Sequence, residues 1–330
     1  MAADIGSLTS DDKVSSVTIS DTAVNISHNL EALHLNLGKI TAITQTDSNA
    51  LNITVSQLIG AADVLTKIGA NSVIIVDGTA AEISSNIDQL QSHYSMIDGI
   101  HLTDPQNAIS ISGVQSVNDA PILNLIDLNL IDGPFNLYVQ GDVSNGVLLG
   151  QNGNDTLIGG AGDEVLTGNA GDDVVNGGGG SDIATYSGLA SDYAISYDSV
   201  NQLYTVTDLN TNRHNLGYGD GVDTLSNVEY LVFDGDLSKA ALGVSVANLT
   251  SALENPGLNT VYVLDTAENI AAGFDALESA HAFIGGISVL DPSNPIVLTH
   301  AKLVADADVI DLFTGDYSLA TANLMAPSLE

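Results

Sequence analysis

The sequence lacks cysteine and tryptophan, and it has very few basic residues. Without cysteine, the chain forms no disulfide and has no thiolate to bind a metal or attack a substrate. Six Lys and Arg residues stand against 41 Asp and Glu residues, which gives a formal net charge of −35. With so little positive charge to neutralise phosphates, the chain is not expected to bind nucleic acid or anionic lipid.

Long apolar runs are missing as well. No stretch approaches the roughly 18 consecutive apolar residues of a membrane-spanning helix, so we predict no membrane insertion. Hydrophobic residues nevertheless make up 44% of the chain, which is ordinary for a globular protein. A length of 330 residues is sufficient for two or three domains.

The excess negative charge repels itself and disfavours a compact state, unless salt or bound cations neutralise it. Glu is scarce here, and many Asp residues stand beside Gly or Asn. Short carboxylates next to glycine turns supply the oxygen ligands that calcium prefers. The composition therefore favours bound calcium over a general adaptation to high salt.

Four nine-residue blocks run without a gap from Gly150 to Thr185: GQNGNDTLI, GGAGDEVLT, GNAGDDVVN and GGGGSDIAT. Each block has Gly at positions one and four, an acidic residue at position six and an apolar residue at position eight. Glycine allows the first half of a block to turn tightly. The apolar eighth position predicts a short strand that faces a core. The acidic residues at position six are Asp155, Glu164, Asp173 and Asp182.

This pattern resembles the GGxGxDxUx nonapeptide of the RTX (repeats-in-toxin) calcium-binding family. The resemblance implies a parallel β-roll in which two blocks make one turn, so that Asp155 stacks on Asp173 and Glu164 on Asp182. About two to four calcium ions would lie between turns, with backbone carbonyls completing their coordination. Glu164 departs from the pattern, so its neighbour Asp163 is an alternative ligand. The candidate metal-binding residues are Gly150, Asn152, Asp155, Gly159, Ala161, Asp163, Glu164, Gly168, Ala170, Asp172, Asp173, Gly177, Gly179, Asp182, Asp220 and Asp223.

The segments next to the blocks have their own signals. Residues 141–149 keep the nine-residue spacing but have Gly146 at position six, which predicts a degenerate first turn. The tyrosine-rich stretch after the blocks alternates as strands do. It leads into DGVDTLSNVEYLVFDGDL, which resembles segments that follow RTX blocks in secreted bacterial proteins. Asp220, Asp223 and Glu229 are either ligands of a further ion or surface carboxylates.

A longer repeat occurs three times, as DTAVNISHNLEAL from Asp21, GTAAEISSNIDQL from Gly78 and DTAENIAAGFDAL from Asp265. We call these the first, second and third repeats. Thr22, Thr79 and Thr266 are predicted helix N-caps, because their hydroxyl groups accept backbone N–H bonds. Apolar residues then recur every three or four positions, as on one face of a helix. Short β-branched strands alternate with these helices.

The predicted fold class is mixed α/β: a parallel β-roll flanked by strand–helix, solenoid-like repeats, with a small antiparallel β segment after the roll. The predicted domains are residues 1–140 with two repeats, 141–185 as the roll, 186–258 as the β-rich segment and 259–330 with the third repeat. We also predict that the sheet of the repeats continues into the roll through residues 135–142.

No catalytic residue and no cofactor other than Ca²⁺ is predicted, because the sequence has no HExxH, GxSxG or P-loop motif. The leading interpretation is a non-catalytic structural or adhesive module of a type I-secreted or cell-surface bacterial protein, which folds on binding extracellular calcium. Two alternatives are the export and folding region of a secreted hydrolase and a calcium-dependent lectin. A glycan or a cell-surface or matrix component therefore stays open as a partner.

Two Asp-Pro bonds, Asp104-Pro105 and Asp291-Pro292, occupy the same place in the second and third repeats. Calcium-triggered cleavage at such a bond is one interpretation. A turn after a strand is the simpler one, because proline presets the backbone for turns.

Overall fold

The computed structural model describes residues 2–69, 72–126, 135–142, 146–210, 219–234, 238–255 and 257–322. Residues 143–145 and 235–237, which fall in the predicted roll and in the segment after it, lie outside the described residues. The fold is mixed α/β with parallel sheets, as predicted. Two compact units comprise Met1–Tyr138 and Val139–Glu330.

Short helices and strands alternate along the chain. The helices are α1 Ile5–Thr9, α2 Ala23–His28, α3 Leu30–Leu35, α4 Val55–Leu65, α5 Ala80–Ser92, α6 Gly113–Asn118, α7 Ala120–Leu123, α8 Leu249–Leu253, α9 Ala267–Ala272, α10 Phe274–Ala280, α11 His300–Ala305 and α12 Ala307–Ile310. The strands are β1 Val17–Asp21, β2 Ile40–Gln45, β3 Leu51–Thr54, β4 Ile74–Gly78, β5 Gly99–Leu102, β6 Ile109–Ser112, β7 Leu137–Gln140, β8 Val147–Leu149, β9 Thr156–Ile158, β10 Val165–Thr167, β11 Val174–Asn176, β12 Ile183–Tyr186, β13 Tyr193–Asp198, β14 Leu203–Asp208, β15 Val222–Ser226, β16 Tyr230–Phe233, β17 Ser238–Val244, β18 Thr260–Asp265, β19 Ile284–Val289, β20 Ile296–Leu298 and β21 Leu319–Thr321. Among the described residues, no helix is both long and apolar enough to cross a membrane.

In the first unit, strands pair in parallel with the strand that follows the next helix. Strand β1 pairs with β2, and β3, β4 and β5 form a three-stranded sheet. The apolar faces of these strands and helices bury each other: Ile53, Leu58 and Ile83 are each at most 1% exposed. A strand and one helix cannot cover both of their apolar faces, so each pair depends on its neighbours in the array.

Every repeat helix starts and bends in the same way. A Thr or Ser side chain caps the first turn, and Thr79 forms the predicted capping box with Glu82. Seven residues after the cap, the backbone leaves helical geometry, which divides or kinks the helix. The capping residues are Thr22, Thr54, Thr79, Ser112, Thr266 and Thr299, and the bends fall at Asn29, Ala61, Asn86, Asp119, Gly273 and Asp306.

A carboxylate from further along the chain completes each of three helix starts. The N–H groups of Ala23, Ala80 and Ala267 donate to Asp47, Asp104 and Asp291, at 3.0, 2.6 and 2.6 Å. A negative charge is favourable at a helix N-terminus. The second oxygens of Asp104 and Asp291 accept from Asn107 and Asn294, so both Asp-Pro carboxylates are engaged in turns. This supports the turn interpretation of the two bonds.

Candidate metal centre

The four nine-residue blocks, here called the nonapeptide segment (residues 150–185), supply strands alternately to two parallel sheets. One sheet contains β8, β10 and β12, and the other contains β9 and β11. Partner residues lie 18 positions apart, as in Val165 with Ile183 and Thr156 with Val174. The eighth-position side chains Leu157, Leu166 and Val175 face inward and are at most 2% exposed. Two blocks therefore make one turn of a coil.

The coil continues beyond the last sequence block. Strand β15 pairs in parallel with β11, and β16 pairs in parallel with β12. Partner residues are here 50 and 47 positions apart, from Val174 to Thr224 and from Ile183 to Tyr230. The intervening chain includes the antiparallel hairpin β13–β14, and β14 pairs with β15. The hydrogen bonds of the coil thus cross the predicted domain boundary at residue 185.

Acidic side chains stack along each side of this coil in two series, which we call the first and second ladders. The first ladder is Asp155, Asp173 and Asp223, and the second is Glu164, Asp182 and Glu229. In each step, a carboxylate accepts the backbone N–H of the acidic residue one turn earlier. The four distances are 2.8 Å from Asp155 N to Asp173, 2.9 Å from Asp173 N to Asp223, 2.7 Å from Glu164 N to Asp182 and 2.8 Å from Asp182 N to Glu229.

Each of these hydrogen bonds uses only one carboxylate oxygen. In the described part of the chain, no donor reaches Asp173 Oδ2, Asp182 Oδ2 or Glu164 Oε1. All three residues are only 1% exposed. A buried acceptor without a donor is costly, and a buried charge without a partner is more so. These oxygens therefore require a proton or a cation.

The glycines at position one hold backbone carbonyls and carboxylates in close approach. A methyl group on Gly159 would lie 2.0 Å from the carbonyl oxygen of Gly177 and 2.8 Å from Glu164 Oε2. A methyl group on Gly168 would lie 1.9 Å from the unpartnered Asp173 Oδ2. Any larger residue would fill the space where these oxygens converge. This steric limit explains why glycine recurs at position one of each block.

The predicted candidates at positions three and five have different surroundings. At position five, Asp163 accepts from Ser181 N and Asp172 accepts from Val222 N, at 2.8 and 2.9 Å. Both side chains are exposed, so they brace one turn against the next at the surface. At position three, Asn152, Ala161 and Gly179 are exposed, whereas Ala170 is buried. At position three, the candidate calcium ligands are therefore the backbone carbonyl groups.

Burial and repulsion by neighbouring charges raise the pKa values of three ladder acids, Asp173, Asp182 and Asp223. Burial first, and then the nearby charges of Asp155 and Asp172, raise the pKa of Asp173 to about 8. Burial and the charge of Asp173 raise the pKa of Asp223 to about 9. The pKa of Asp182 rises to about 6, again chiefly through burial. Without a cation, the first ladder therefore holds protons at neutral pH.

Asp220 lies apart from the ladder hydrogen bonds. Its carboxylate accepts from the Ser187 backbone N–H at 3.1 Å, from the Ser187 hydroxyl and from the Tyr193 hydroxyl. Its own N–H donates to Asp208 at 2.9 Å. This buried network ties the hairpin to the last turn of the coil, which gives Asp220 a structural role that requires no metal.

The donor set fits calcium. Calcium takes six to eight oxygen ligands and tolerates irregular geometry. The coil offers only oxygen donors: carboxylates of the two ladders and the carbonyls packed against the position-one glycines. Nowhere in the described residues do three acidic or histidine side chains converge on one point. Backbone carbonyls must therefore supply much of the coordination, and the ladder acids would supply the charge.

Comparison with known proteins identifies this segment. Residues 149–184 match the family model described as the RTX calcium-binding nonapeptide repeat, in four copies. The resemblance drawn from the sequence is confirmed for these residues, and so is calcium as the cofactor of such repeats. The match covers 36 of the 330 residues, so it identifies the segment and not the whole chain.

Other comparisons add little. No curated protein matches the chain. Among solved structures, the chain is similar to the extracellular lipase LipA from Serratia marcescens, with 11% identity and a TM-score of 0.20. The alignment covers 76% of this chain and 33% of the lipase chain, so the chain spans about a third of that structure. A likeness this distant says nothing about activity.

Sequence reasoning considered Glu229 only as a ligand of a further ion or a surface carboxylate, and did not place it in the series with Glu164 and Asp182, although a short signal exists. The letters DTL occur at Asp155–Leu157 and again at Asp223–Leu225, and Glu229 likewise stands two residues before the buried Leu231. An acidic residue followed two positions later by a buried apolar residue is the second half of a block. Before Asp223 only Gly219 and Gly221 of the glycine-rich first half are present, and before Glu229 it is missing, so the nine-residue period reveals neither acid.

Proposed function

We propose that this chain is a non-catalytic, calcium-binding structural or adhesive module of a secreted or cell-surface bacterial protein. The nonapeptide segment and strands β15 and β16 form one calcium-closed β-roll. The observation that carries this proposal is the pair of acid ladders with buried, unpartnered oxygens on Asp173, Asp182 and Glu164. A cation between turns satisfies these oxygens and removes the repulsion within each ladder at once.

Calcium binding and folding of the roll are one event in this proposal. The carbonyls and carboxylates that converge near Gly150 and Gly159 come from different turns, so the unfolded chain has no preformed site. At low calcium and neutral pH, folding must protonate buried ladder acids that are ionised in the unfolded chain, and this cost keeps the coil open. At extracellular calcium, sites with dissociation constants of about 10⁻⁴ to 10⁻³ M fill and close it. The residues that we propose as ligands are the position-one and position-three carbonyls with Asp155, Glu164, Asp173, Asp182, Asp223 and Glu229.

The last turn of the roll supplies acids that the nine-residue blocks do not contain. Asp223 accepts from Asp173 N, and Glu229 accepts from Asp182 N. The last two blocks therefore depend on Asp223 and Glu229, about fifty positions away, for the carboxylates of the next turn. The hairpin β13–β14 and the Asp220 network hold this last turn in place.

Circular dichroism and thermal melting of the full chain, with calcium and with EDTA, test the proposal. We expect β signal and melting temperature to rise with calcium near millimolar concentration, and magnesium to give little of this effect, because it prefers tight octahedral sites. Equal spectra and equal melting in calcium and EDTA would disprove coupled folding. A glycan array in calcium distinguishes the lectin alternative, and assays of the parent protein distinguish the hydrolase alternative.

A further inference from the structure

A buried carboxyl group with a second carboxyl group beside it lies in the second repeat, outside the nonapeptide segment. Asp119 joins helices α6 and α7 and is 4% exposed. Its backbone N–H donates to Gln115 O at 2.9 Å, but in the described part of the chain no donor reaches its side-chain Oδ2. A buried carboxylate oxygen without a donor needs an explanation.

The group that faces Asp119 is another carboxylate, Asp88 on helix α5. Asp88 Oδ1 accepts from Gln115 Nε2 at 3.0 Å. The other titratable groups of this helix are engaged elsewhere, since Glu82 accepts from Thr79 and His93 contacts Gln89 O. Helices α6 and α7 and strand β6 contain no other titratable residue. Burial, followed by Asp88, raises the pKa of Asp119 to about 6.

Two equivalent repeat helices have a hydrogen-bond donor at the position of Asp119, and we call them the sister helices. Asn29 and Asn86 stand at the same place, seven residues after the helix cap. Their Nδ2 groups donate to the carbonyl four residues earlier, at 2.7 and 2.8 Å. The side chain at this bend is thus a hydrogen-bond donor in two other helices. A protonated Asp119 is a donor as well, whereas an ionised one is not.

Acidic residues occupy both corresponding positions in the third repeat, together with a lysine. Asp275 corresponds to Asp88, nine residues after the cap, and Asp306 corresponds to Asp119. There Lys302 occupies the position of Gln115 and forms an ion pair with Asp275 at 2.5 Å. The second repeat has a neutral amide in place of that lysine, so its two carboxylates face each other without a positive charge.

We propose that Asp88 and Asp119 share one proton, and that this pair clamps helix α5 to helices α6 and α7 more firmly in mild acid than in alkali. Two direct hydrogen bonds join these helices: Ile122 N donates to Gln91 Oε1 and Gln115 Nε2 donates to Asp88 Oδ1, both at 3.0 Å. Two facing carboxylates titrate as a coupled pair, so the shared proton belongs to both groups. A folded pKa above the unfolded value means that this stabilisation is complete below about pH 4 and is lost as the pH rises through about 6.

Hydrogen exchange of the full chain in saturating calcium tests the clamp. The readout is the protection factor of amides in residues 113–124, which corrects for the intrinsic pH dependence of exchange. We expect protection to fall about 25-fold between pH 4.5 and 7.5, because most of the two-unit gap between the ordinary and the raised pKa lies within this interval. Asp119→Asn should keep high protection at both pH values, as the Asn residues of the sister helices predict.

Two further variants make the test specific. Gln115→Lys supplies the cation of the third repeat and should reduce the pH dependence. Asp306→Asn changes the same position where Lys302 is present, and should leave protection of residues 113–124 unaltered. If Asp119→Asn does not fold, Asp88→Asn gives the same test. Protection that is independent of pH in the unaltered chain, or that falls just as much with pH in Asp119→Asn, would overturn the proposal.

Discussion

The strand–helix repeats and the nonapeptide segment are both rich in aspartate, but they neutralise it in opposite ways. In the repeats, Asp47 and Asp291 accept hydrogen bonds from helix N-termini. The N–H of Ala23 lowers the pKa of Asp47, and hydrogen bonds from Asn294 and then Ala267 lower that of Asp291. These carboxylates are stable as anions without any metal.

In the nonapeptide segment, each acid faces the next acid of its ladder. Burial and repulsion raise the pKa of Asp173 to about 8, and one of its oxygens has no partner in the described part of the chain. The net charge of −35 is therefore not equally destabilising in all parts of the fold. One region satisfies its charge with backbone donors, and the other requires a proton or calcium.

Calcium removal should produce the largest difference in stability between the two regions. In EDTA, amides of strands β9, β10 and β11 should lose protection from hydrogen exchange, while those of β4 in the first unit keep it. At a calcium concentration of 100 times the dissociation constant, each site adds about 2.7 kcal/mol, or about 100-fold in protection. Hydrogen exchange measured by mass spectrometry, in 10 mM calcium and in EDTA, checks this. Equal loss in both regions would show that the distinction between them is wrong.

Gly159→Ala should abolish calcium-dependent folding of the roll, because the added methyl group would lie 2.0 Å from the Gly177 carbonyl oxygen. Its matched control is Gly60→Ala in helix α4, where a methyl group meets nothing within 4 Å. That variant should be neutral or more stable by about 0.5–1 kcal/mol, because alanine favours a helix interior. A calcium titration followed by circular dichroism compares the two. A normal titration for Gly159→Ala would contradict the close approach that defines the site.

Where the roll is already folded before calcium is added, calcium binding should release protons at neutral pH. The metal-free pKa values of Asp173 and Asp223, about 8 and about 9, leave both groups protonated at pH 7. Calcium binds the ionised forms, so apparent affinity should rise with pH up to about 9. In the metal-free chain the sign is opposite: these groups favour folding in acid and lose that effect as the pH rises through 8 to 9. Calorimetry in buffers of different ionisation enthalpy should count about one to two protons released. Zero release at pH 7 would rule out protonated ladders.

Asp104→Ala should have the smallest effect, confined to the repeats. It removes the acceptor of Ala80 N at the start of helix α5 and should lower the free energy of unfolding by about 0.5–2 kcal/mol, as for other lost caps. Calcium affinity should not change. Urea unfolding in saturating calcium measures the difference, with the exposed Asp12→Ala as the control. A weaker calcium affinity in Asp104→Ala would show that the two regions are coupled.

The sequence by itself determined the local features of this protein. A strict nine-residue period specified the calcium-binding segment, because each block contains its own turn, carboxylate and core residue. The capping residues Thr22, Thr79 and Thr266 were equally visible, because a helix cap involves only neighbours along the chain. Such features need no knowledge of distant contacts.

Only the tertiary structure decided which distant residues complete these elements. Asp223 and Glu229 continue the ladders after an intervening segment of about fifty residues, which includes the hairpin β13–β14 and interrupts the nine-residue period. Asp119 is buried in the fold, where helix α5 brings the carboxylate of Asp88 to it, whereas in the third repeat Lys302 pairs with Asp275. The physical reason is that burial and the field of neighbouring charges depend on what the fold places nearby, and sequence spacing does not encode that across long loops.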